Sequence, residues 1–224
     1  MPNWTSNHVT IKGNKDDIKK IKELLTTQCD DGTVNCFDFN KIIPMPESLQ
    51  IDSGSITQNA MRAAKAEPNS EERKEIVDKM SNNFPWTLLQ PYNLPNRIEN
   101  EDDFIKLGEL YLDNIKKYGH PTWYEWRCEN WGVKWNTHEP ELKTDEQECL
   151  EYEFDTAWNE PVPIFVALSE QFPNITINTR ASYEDPTPWE IICTEYENGE
   201  VVENHTETDE DMKKEYALHC EDDE

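Results

Sequence analysis

The chain has 224 residues, 47 of them Asp or Glu and 21 Lys or Arg, so its formal net charge is −26. This charge argues against a protein that binds nucleic acid directly, because Lys and Arg make most phosphate contacts. No segment approaches the run of about 20 apolar residues that a membrane-spanning helix needs. Aromatic residues make up 10% of the chain, more than a disordered protein carries. We therefore expect a folded, cytoplasmic protein with no membrane partner.

The cysteines show no metal-ligating pattern. None of the six forms a Cys-x-x-Cys pair, and none lies at zinc-ligand spacing from a histidine. The chain starts Met-Pro-Asn-Trp-Thr, without the apolar run of a secretion signal. We expect reduced thiols, no disulfide and no metal site.

The first elements alternate between strand and helix periodicity. Val9 to Ile11 alternate with polar neighbours and predict a strand near 8–12. Asn14 then caps a predicted helix. Phe37 and Phe39 alternate with polar residues and predict a second strand over 36–42. The apolar stripe of the helix consists of Ile18, Ile21, Leu24 and Leu25.

Residues from about 45 to 120 interrupt this alternation. Helical patterns run over 55–66 and 70–80, and a longer helix follows Asn100, which can cap it. Gly119 and Pro121 end this last helix. We expect a large helical insertion here.

The second half returns to the first pattern. Apolar and acidic residues alternate through 149–157, which is the clearest strand of the chain. Pro161 begins a helix, and 175–183 forms another strand. Asn198-Gly199 predicts a hairpin turn. Thr208 with Asp211 predicts the start of a short last helix.

The order of elements is β-α-β, insertion, β-α-β. It predicts the α+β class, as a split βαβ, ferredoxin-like antiparallel sheet with two helices on one face. A large helical insertion and a C-terminal hairpin plus short helix complete it. We expect 1–224 to form a single domain, with the insertion at about 45–120 and an acidic extension at about 186–224. The predicted core residues are Phe37, Phe39, Tyr152, Phe154, Trp158 and Leu168.

The sequence contains four distinctive blocks: Met1-Pro-Asn-Trp4, Ile43-Pro-Met-Pro46, Asn130-Trp-Gly-Val-Lys-Trp-Asn136 and Phe154-Asp-Thr-Ala-Trp-Asn-Glu-Pro161. These blocks resemble the YubB ferredoxin-like domain family, whose members occur in plasmids and phages and are largely of unknown function. The resemblance implies the fold and a mobile-element origin, and it assigns no catalytic or binding residue. After Tyr183 and Glu184 the chain continues Asp-Pro-Thr-Pro, where relatives tend to be Gly-rich.

Motifs of the common catalytic sites are absent from the sequence. It contains no Gly-x-Ser-x-Gly, no phosphate-binding glycine loop and no His-Glu-x-x-His. Its five histidines are scattered. We expect no cofactor, and the sequence favours a non-enzymatic role, although an enzyme of unrecognised type stays open because catalytic groups assemble in space rather than in order.

The acidic residues support the first functional hypothesis. Successive carboxylates of the 149–157 strand project from one face about 7 Å apart. They either form a solvated face, bind a divalent cation, act as a glycosidase pair, or imitate the charge of nucleic acid. Imitation predicts an anti-CRISPR or anti-restriction type of protein that binds the basic surface of a host protein or nucleoprotein complex and inhibits it. The candidate partner-binding residues are Glu139, Glu141, Asp145, Glu146, Glu148, Glu151, Glu153, Asp155, Glu207, Asp209, Glu210 and Asp211.

The alternative hypothesis is a small-ligand or nucleic-acid binding module. Tryptophan faces hold bases or cations, so a loop of Trp131, Lys134, Trp135 and Asn136 can form a stacking platform. The same residues can equally seal the joint between insertion and sheet, because large aromatic side chains dominate protein cores.

Overall fold

The structure is a computed structural model that describes residues 3–28, 32–51, 53–83, 98–183 and 190–208. It divides the chain into two compact units. The sheet unit comprises Met1–Pro44 and Glu129–Glu224, and the helical unit comprises Met45–Cys128. The predicted last helix after Thr208 lies outside the described residues.

The sheet unit contains eight strands and three helices in the described part of the chain. They are β1 (Trp4–Lys12), α1 (Lys15–Leu25), β2 (Thr27–Gln28), β3 (Val34–Asn35), α2 (Phe39–Ile42), β4 (His138–Asp145), β5 (Cys149–Ala157), α7 (Val162–Gln171), β6 (Thr176–Tyr183), β7 (Glu190–Glu197) and β8 (Glu200–Thr208). The helical unit contains α3 (Ser55–Lys65), α4 (Glu71–Asn83), α5 (Glu101–Tyr118) and most of α6 (Trp123–Asn130).

Six strands form one antiparallel sheet in the order β4-β5-β1-β6-β7-β8. Both β5 and β6 pair antiparallel with β1, which lies between them. They therefore run parallel to each other and are joined through α7, which is a split βαβ arrangement. The predicted α+β fold class is confirmed.

The predicted strand over 36–42 is wrong. Asp38 instead accepts a hydrogen bond from the backbone N–H of Asn40 at 2.9 Å and caps α2. Phe37 and Phe39 are both fully buried, with ring centroids 6.0 Å apart. The alternation thus identified buried positions but not their conformation. The sheet position beside β5 belongs to β4 instead, which the sequence analysis did not identify as a strand.

The two faces of the sheet differ in character. The covered face carries apolar residues that α1 and α7 bury, and the open face carries the residues that alternate with them. The helices contribute apolar side chains such as Ile21 and Leu168, both fully buried. Fully buried positions of the covered face are Val9, Ile11, Leu150, Tyr152 and Ile177, and Phe154 is 3% exposed.

Trp158 was predicted to lie in the core, and the structure shows that this prediction is wrong. It is 39% exposed, whereas the other five predicted core residues are buried. The chain leaves β5 at Ala157, and Trp158 takes a left-handed backbone conformation with φ 76°. This conformation breaks the strand alternation and turns the indole away from the core.

The helical unit has its own core, formed chiefly by α3, α4 and α5. Gly108 lies where α5 crosses α3, and a Cβ there would stand 2.1 Å from the carbonyl oxygen of Ala60. Asn100 caps α5 by accepting a hydrogen bond from the N–H of Asp103 at 3.1 Å, as predicted. Among the described residues, no helix combines the length and apolar character needed to cross a membrane.

Two further expectations concern the hairpin and the thiols. Asn198 and Gly199 turn between β7 and β8 with φ of 49° and 82°, which confirms the predicted hairpin. Four described cysteines form no disulfide: Cys36, Cys128, Cys149 and Cys193. Cys29 and Cys220 lie outside the described residues, so a chain without disulfides stays a prediction.

Candidate functional site

The acidic row of β5 lies on the open face of the sheet. Glu151, Glu153 and Asp155 alternate with the buried residues of the covered face. Glu153 and Asp155 line a groove of about 380 Å³, together with Glu139 and Glu141 of β4. Arg180 of β6 lies at the same groove. Four carboxylates therefore converge on one concavity with few cations.

Neighbouring side chains fix the orientation of these carboxylates. Asp155 Oδ1 accepts a hydrogen bond from Ser6 Oγ at 2.7 Å. Glu153 lies between two basic side chains, with Oε2 3.0 Å from Lys143 Nζ and Oε1 3.4 Å from His8 Nδ1. Lys143 also contacts Glu141. The row is thus an ordered array of acceptors.

Lys143 stabilises the charged state of this groove. Its hydrogen bond to Glu153 lowers the pKa of that carboxyl, with His8 adding to the effect. In return, Glu141 and then Glu153 raise the pKa of the Lys143 ammonium. Both shifts favour ionised groups, so Glu153 is a carboxylate at neutral pH.

A second cluster occupies the same face on β6, β7 and β8. Arg180 Nη2 lies 2.6 Å from Glu207 Oε2, and His205 Nδ1 lies 3.3 Å from Glu203 Oε1. Burial, followed by a hydrogen bond to Glu207, raises the pKa of the Cys193 thiol to about 11. These side chains line a cavity of about 220 Å³.

The predicted partner-binding residues separate into four groups. Asp145 contacts Lys22 of α1 and so points to the helix side of the sheet. Glu146 and Glu148 lie in the exposed turn between β4 and β5. Asp209, Glu210 and Asp211 lie outside the described residues. The open face or its groove carries the remaining six, Glu139, Glu141, Glu151, Glu153, Asp155 and Glu207.

Two residues of the predicted Trp131–Trp135 platform have structural contacts instead. Trp131 is 1% exposed, and its indole N–H donates to the carbonyl oxygen of Ile43 at 2.9 Å. Asn136 accepts from the N–H of Phe39 at 2.9 Å and donates to Asp38 at 2.7 Å. Trp131 therefore offers no face to a ligand, and Asn136 holds α2 in place.

The other two residues belong to what we call the aromatic rim, formed by Trp4, Lys134, Trp135, His138 and Trp158. Lys134 Nζ lies 4.2 Å from the ring centroid of Trp135 and 5.3 Å from that of Trp158. The ring centroid of Trp4 lies 6.1 Å from that of Trp135 and 4.6 Å from that of His138, and both ring pairs are tilted.

Sequence reasoning missed Trp4 and His138 as members of this rim. The signal that could have found them is register. Trp4 pairs with Ala157 beside β5, and His138 pairs with Asp155 on the open face. The rim therefore adjoins the acidic groove, although nearly 130 residues separate Trp4 from Lys134.

The arrangement fits charge recognition better than acid catalysis. A glycosidase needs one carboxyl of raised pKa to act as the acid, whereas the pKa of Glu153 is lowered. Burial does raise the pKa of Glu160, but this carboxyl accepts hydrogen bonds from the hydroxyls of Thr179 and Tyr196 on the covered face. Glu160 is 8% exposed and lies away from the groove.

Among comparisons with known proteins, the match to a family model supports the fold. Residues 130–222 match a family model described as the ferredoxin-like domain in Api92-like protein. The match covers less than half of the chain, so it shows similarity to this domain over that segment alone. The crystal structure of a protein api92 from Yersinia pseudotuberculosis aligns with 92% of this chain and 98% of that chain, at 12% identity and a TM-score of 0.45. No curated protein matches the sequence significantly.

Proposed function

We propose that the protein is a non-enzymatic interaction protein whose open face binds a basic surface of a partner. The observation that carries this proposal is the convergence of Glu139, Glu141, Glu153 and Asp155 on one groove. Their carboxylates imitate the charge of a nucleic-acid backbone. A partner that normally holds DNA or RNA presents the complementary cationic groove.

Charge distribution supports this proposal over simple solubility. A net charge of −26 creates a field that accelerates association with cationic proteins. Charge that serves solubility alone needs no fixed geometry. In the groove, however, Ser6, His8 and Lys143 hold the carboxylates in defined orientations.

The partner class follows from the resemblance to the YubB family, whose plasmid and phage members suggest a mobile-element origin. We propose a host defence or DNA-handling complex as the target. When the acidic face occupies the cationic groove of this complex, it excludes nucleic acid and so inhibits the complex, as anti-CRISPR and anti-restriction proteins do. This action takes place in the host cytoplasm.

Charge reversal tests the proposal. A triple variant carries Glu139→Lys, Glu141→Lys and Glu153→Lys. The matched control carries Glu75→Lys, Asp78→Lys and Glu109→Lys, which change the net charge equally at exposed positions of the helical unit. The full chain captures its partner from host extract, and association rates are then measured with the purified partner at low and high salt.

The two variants have distinct expected outcomes. The groove variant should associate at least tenfold more slowly and lose inhibition of the partner's nucleic-acid binding, while the control stays close to wild type. The difference should shrink with salt, because the Debye length falls from about 10 Å at 0.1 M to about 3 Å at 1 M. Equal behaviour of the two variants would show that only net charge matters.

The aromatic rim supports a second candidate function, the binding of a small ligand or an unpaired base. Trp158 is 39% exposed and adopts a left-handed conformation that costs free energy. Such strain is common at binding sites. Trp135→Ala should then abolish ligand binding, whereas charge reversal in the groove leaves that binding intact.

A further inference from the structure

The second cluster on the open face combines three metal-ligating side chains. Cys193 of β7 pairs directly with His205 of β8, and Glu207 follows two residues later on the same face. The sulfur of Cys193, a ring nitrogen of His205 and a carboxylate oxygen of Glu207 all lie within 4.8 Å of one another. An ion placed among them reaches all three groups with small side-chain movements.

We propose that Cys193, His205 and Glu207 form a Zn²⁺ site. Zinc takes sulfur, nitrogen and oxygen ligands together, whereas calcium and magnesium require oxygen. Three protein ligands leave the fourth tetrahedral position to water or to a group from a partner. Its three ligands are distinct from the four carboxylates of the acidic groove, although Arg180 lines both the groove and this cavity.

Side chains behind the proposed ligands contact them and fix their orientation, as they do in other zinc sites. Glu203 Oε1 lies 3.3 Å from His205 Nδ1, which leaves Nε2 on the side of Glu207, 3.8 Å from its Oε1. A carboxylate behind a ligating histidine fixes the ring and raises its basicity. Glu203 is therefore a positioning residue for the metal.

Arg180 has a corresponding role for Glu207. Its guanidinium lies across the carboxylate, with Nη1 donating to Oε1 at 3.0 Å and Nη2 2.6 Å from Oε2. Each carboxylate oxygen has two lone pairs, so Glu207 can accept from Arg180 and ligate a metal at once. The Cys193 thiolate, Glu207 and Glu203 together outweigh the charge of Arg180.

Access to the site suits a bound ion. Cys193 is 8% exposed and forms the floor, while the His205 side chain is 51% exposed at the entrance. The cavity of about 220 Å³ above them admits hydrated ions. Zinc displaces the thiol proton, which leaves to solvent. Sequence analysis predicted no metal site, because the hairpin rather than linear spacing brings these ligands together.

The test uses Co²⁺ as a spectroscopic probe on the full reduced chain. We expect one Co²⁺ bound with a thiolate-to-cobalt charge-transfer absorption, which Zn²⁺ abolishes by displacement. Cys193→Ser should lose this absorption. Cys149→Ser is the matched control, since Cys149 is a free thiol on β5 of the same sheet, and it should keep the absorption.

Two variants at exposed positions distinguish loss of the metal site from loss of folding. His205→Gln should weaken Zn²⁺ binding at least tenfold in calorimetry. Glu203→Gln should weaken it about 10- to 100-fold while keeping the charge-transfer absorption, as expected for a partner behind the ligand. The groove variant, which carries Glu139→Lys, Glu141→Lys and Glu153→Lys, should bind at least as much Zn²⁺ per chain as wild type. Failure of the groove proposal would therefore not affect the zinc proposal. A wild-type chain that binds no Co²⁺, or a Cys193→Ser chain that keeps the absorption, would overturn the site.

Discussion

The covered and open faces of the sheet are formed by the same strands but contribute differently: the covered face stabilises the fold, and the open face carries charge. On β5, Tyr152 and Phe154 are buried under helices, while Glu151 and Glu153, which alternate with them, carry charge on the open face. Burial of aromatic surface stabilises the fold. Half-exposed carboxylates contribute little stability. The open face can therefore change its charge with little effect on the fold.

Carboxyl groups experience opposite environments on the two faces. Burial raises the pKa of Glu160, which accepts a hydrogen bond from Tyr196 at 3.0 Å. The neighbouring ammonium of Lys143 lowers the pKa of Glu153 on the open face. The covered face therefore favours a protonated carboxyl, and the open face favours an ionised one.

The largest effect should come from removing a ring of the covered face. Phe154 lies 4.9 Å from the ring centroid of Phe37 and 5.8 Å from that of Phe39. Phe154→Ala should cost about 3–5 kcal/mol of unfolding free energy, through lost burial and the cavity left behind. Urea unfolding measures it.

The adjacent residue provides the control for this prediction. Glu153→Ala on the open face should cost less than about 1 kcal/mol, because its ion pairs are half exposed. A Phe154→Ala loss below about 1 kcal/mol would mean that the two faces do not divide stability in this way.

A smaller loss should follow from Gly132→Ala in the loop between buried Trp131 and the aromatic rim. Gly132 has φ 77°, and a Cβ there would lie 2.8 Å from Cδ of Pro163. We expect about 1–3 kcal/mol of destabilisation from backbone strain and the clash. Thermal unfolding measures it, and Gly54→Ala, where a Cβ meets nothing within 4 Å, is the control. Equal effects would contradict the close approach.

Sequence periodicity predicted much of the sheet, for identifiable reasons. The 149–157 strand was clear because every second residue is acidic, so both its type and its buried face could be assigned. The 36–42 segment misled because Asp38 serves as a helix cap, and a short capped helix can bury two phenylalanines as well as a strand does. β4 was not predicted from the sequence, because it is an edge strand with irregular pairing and its apolar alternation is weak.

The candidate site was predictable only where it follows one strand. The acidic row of β5 could be read directly from the sequence. The partners Ser6 and His8 come from β1, more than 140 residues away, and depend on strand order. The pairing of Cys193 with His205 likewise required the hairpin register, which spacing alone does not supply.

A pH series can compare carboxyl groups from the two faces. The folded-state pKa of Glu160 is raised, so its stabilising contribution is present below the unfolded Glu pKa and is lost as pH rises through the folded value. Glu160→Gln removes this dependence. Its unfolding free energy relative to wild type should therefore increase with pH across that window, by about 1.4 kcal/mol for every tenfold difference between the acid dissociation constants of the folded and unfolded states. Urea unfolding at several pH values measures it.

Glu153→Gln should give the opposite sign. The folded-state pKa of Glu153 is lowered, so its stabilising contribution is present above the unfolded Glu pKa and is lost as pH falls through the folded value. The variant should therefore lose stability relative to wild type above this window, by a small and salt-sensitive amount. A Glu160→Gln difference that does not vary with pH would show that Glu160 is ionised at no cost in the core.

The smallest effect on stability should come from Lys143→Ala, which removes a cation from the acidic groove. Lys143 Nζ lies 3.0 Å from Glu153, but the two side chains are 41% and 49% exposed. The loss should be small and vanish in high salt, because exposed ion pairs are weak and screened. Binding should respond in the opposite direction: the groove becomes more negative, so a basic partner should associate faster at low salt.

Lys106→Ala is the matched control, since Lys106 pairs with Asp103 at 3.6 Å in the helical unit and its removal changes the net charge equally. Faster association for Lys143→Ala alone assigns recognition to the open face, whereas equal rates for both variants would assign the effect to net charge.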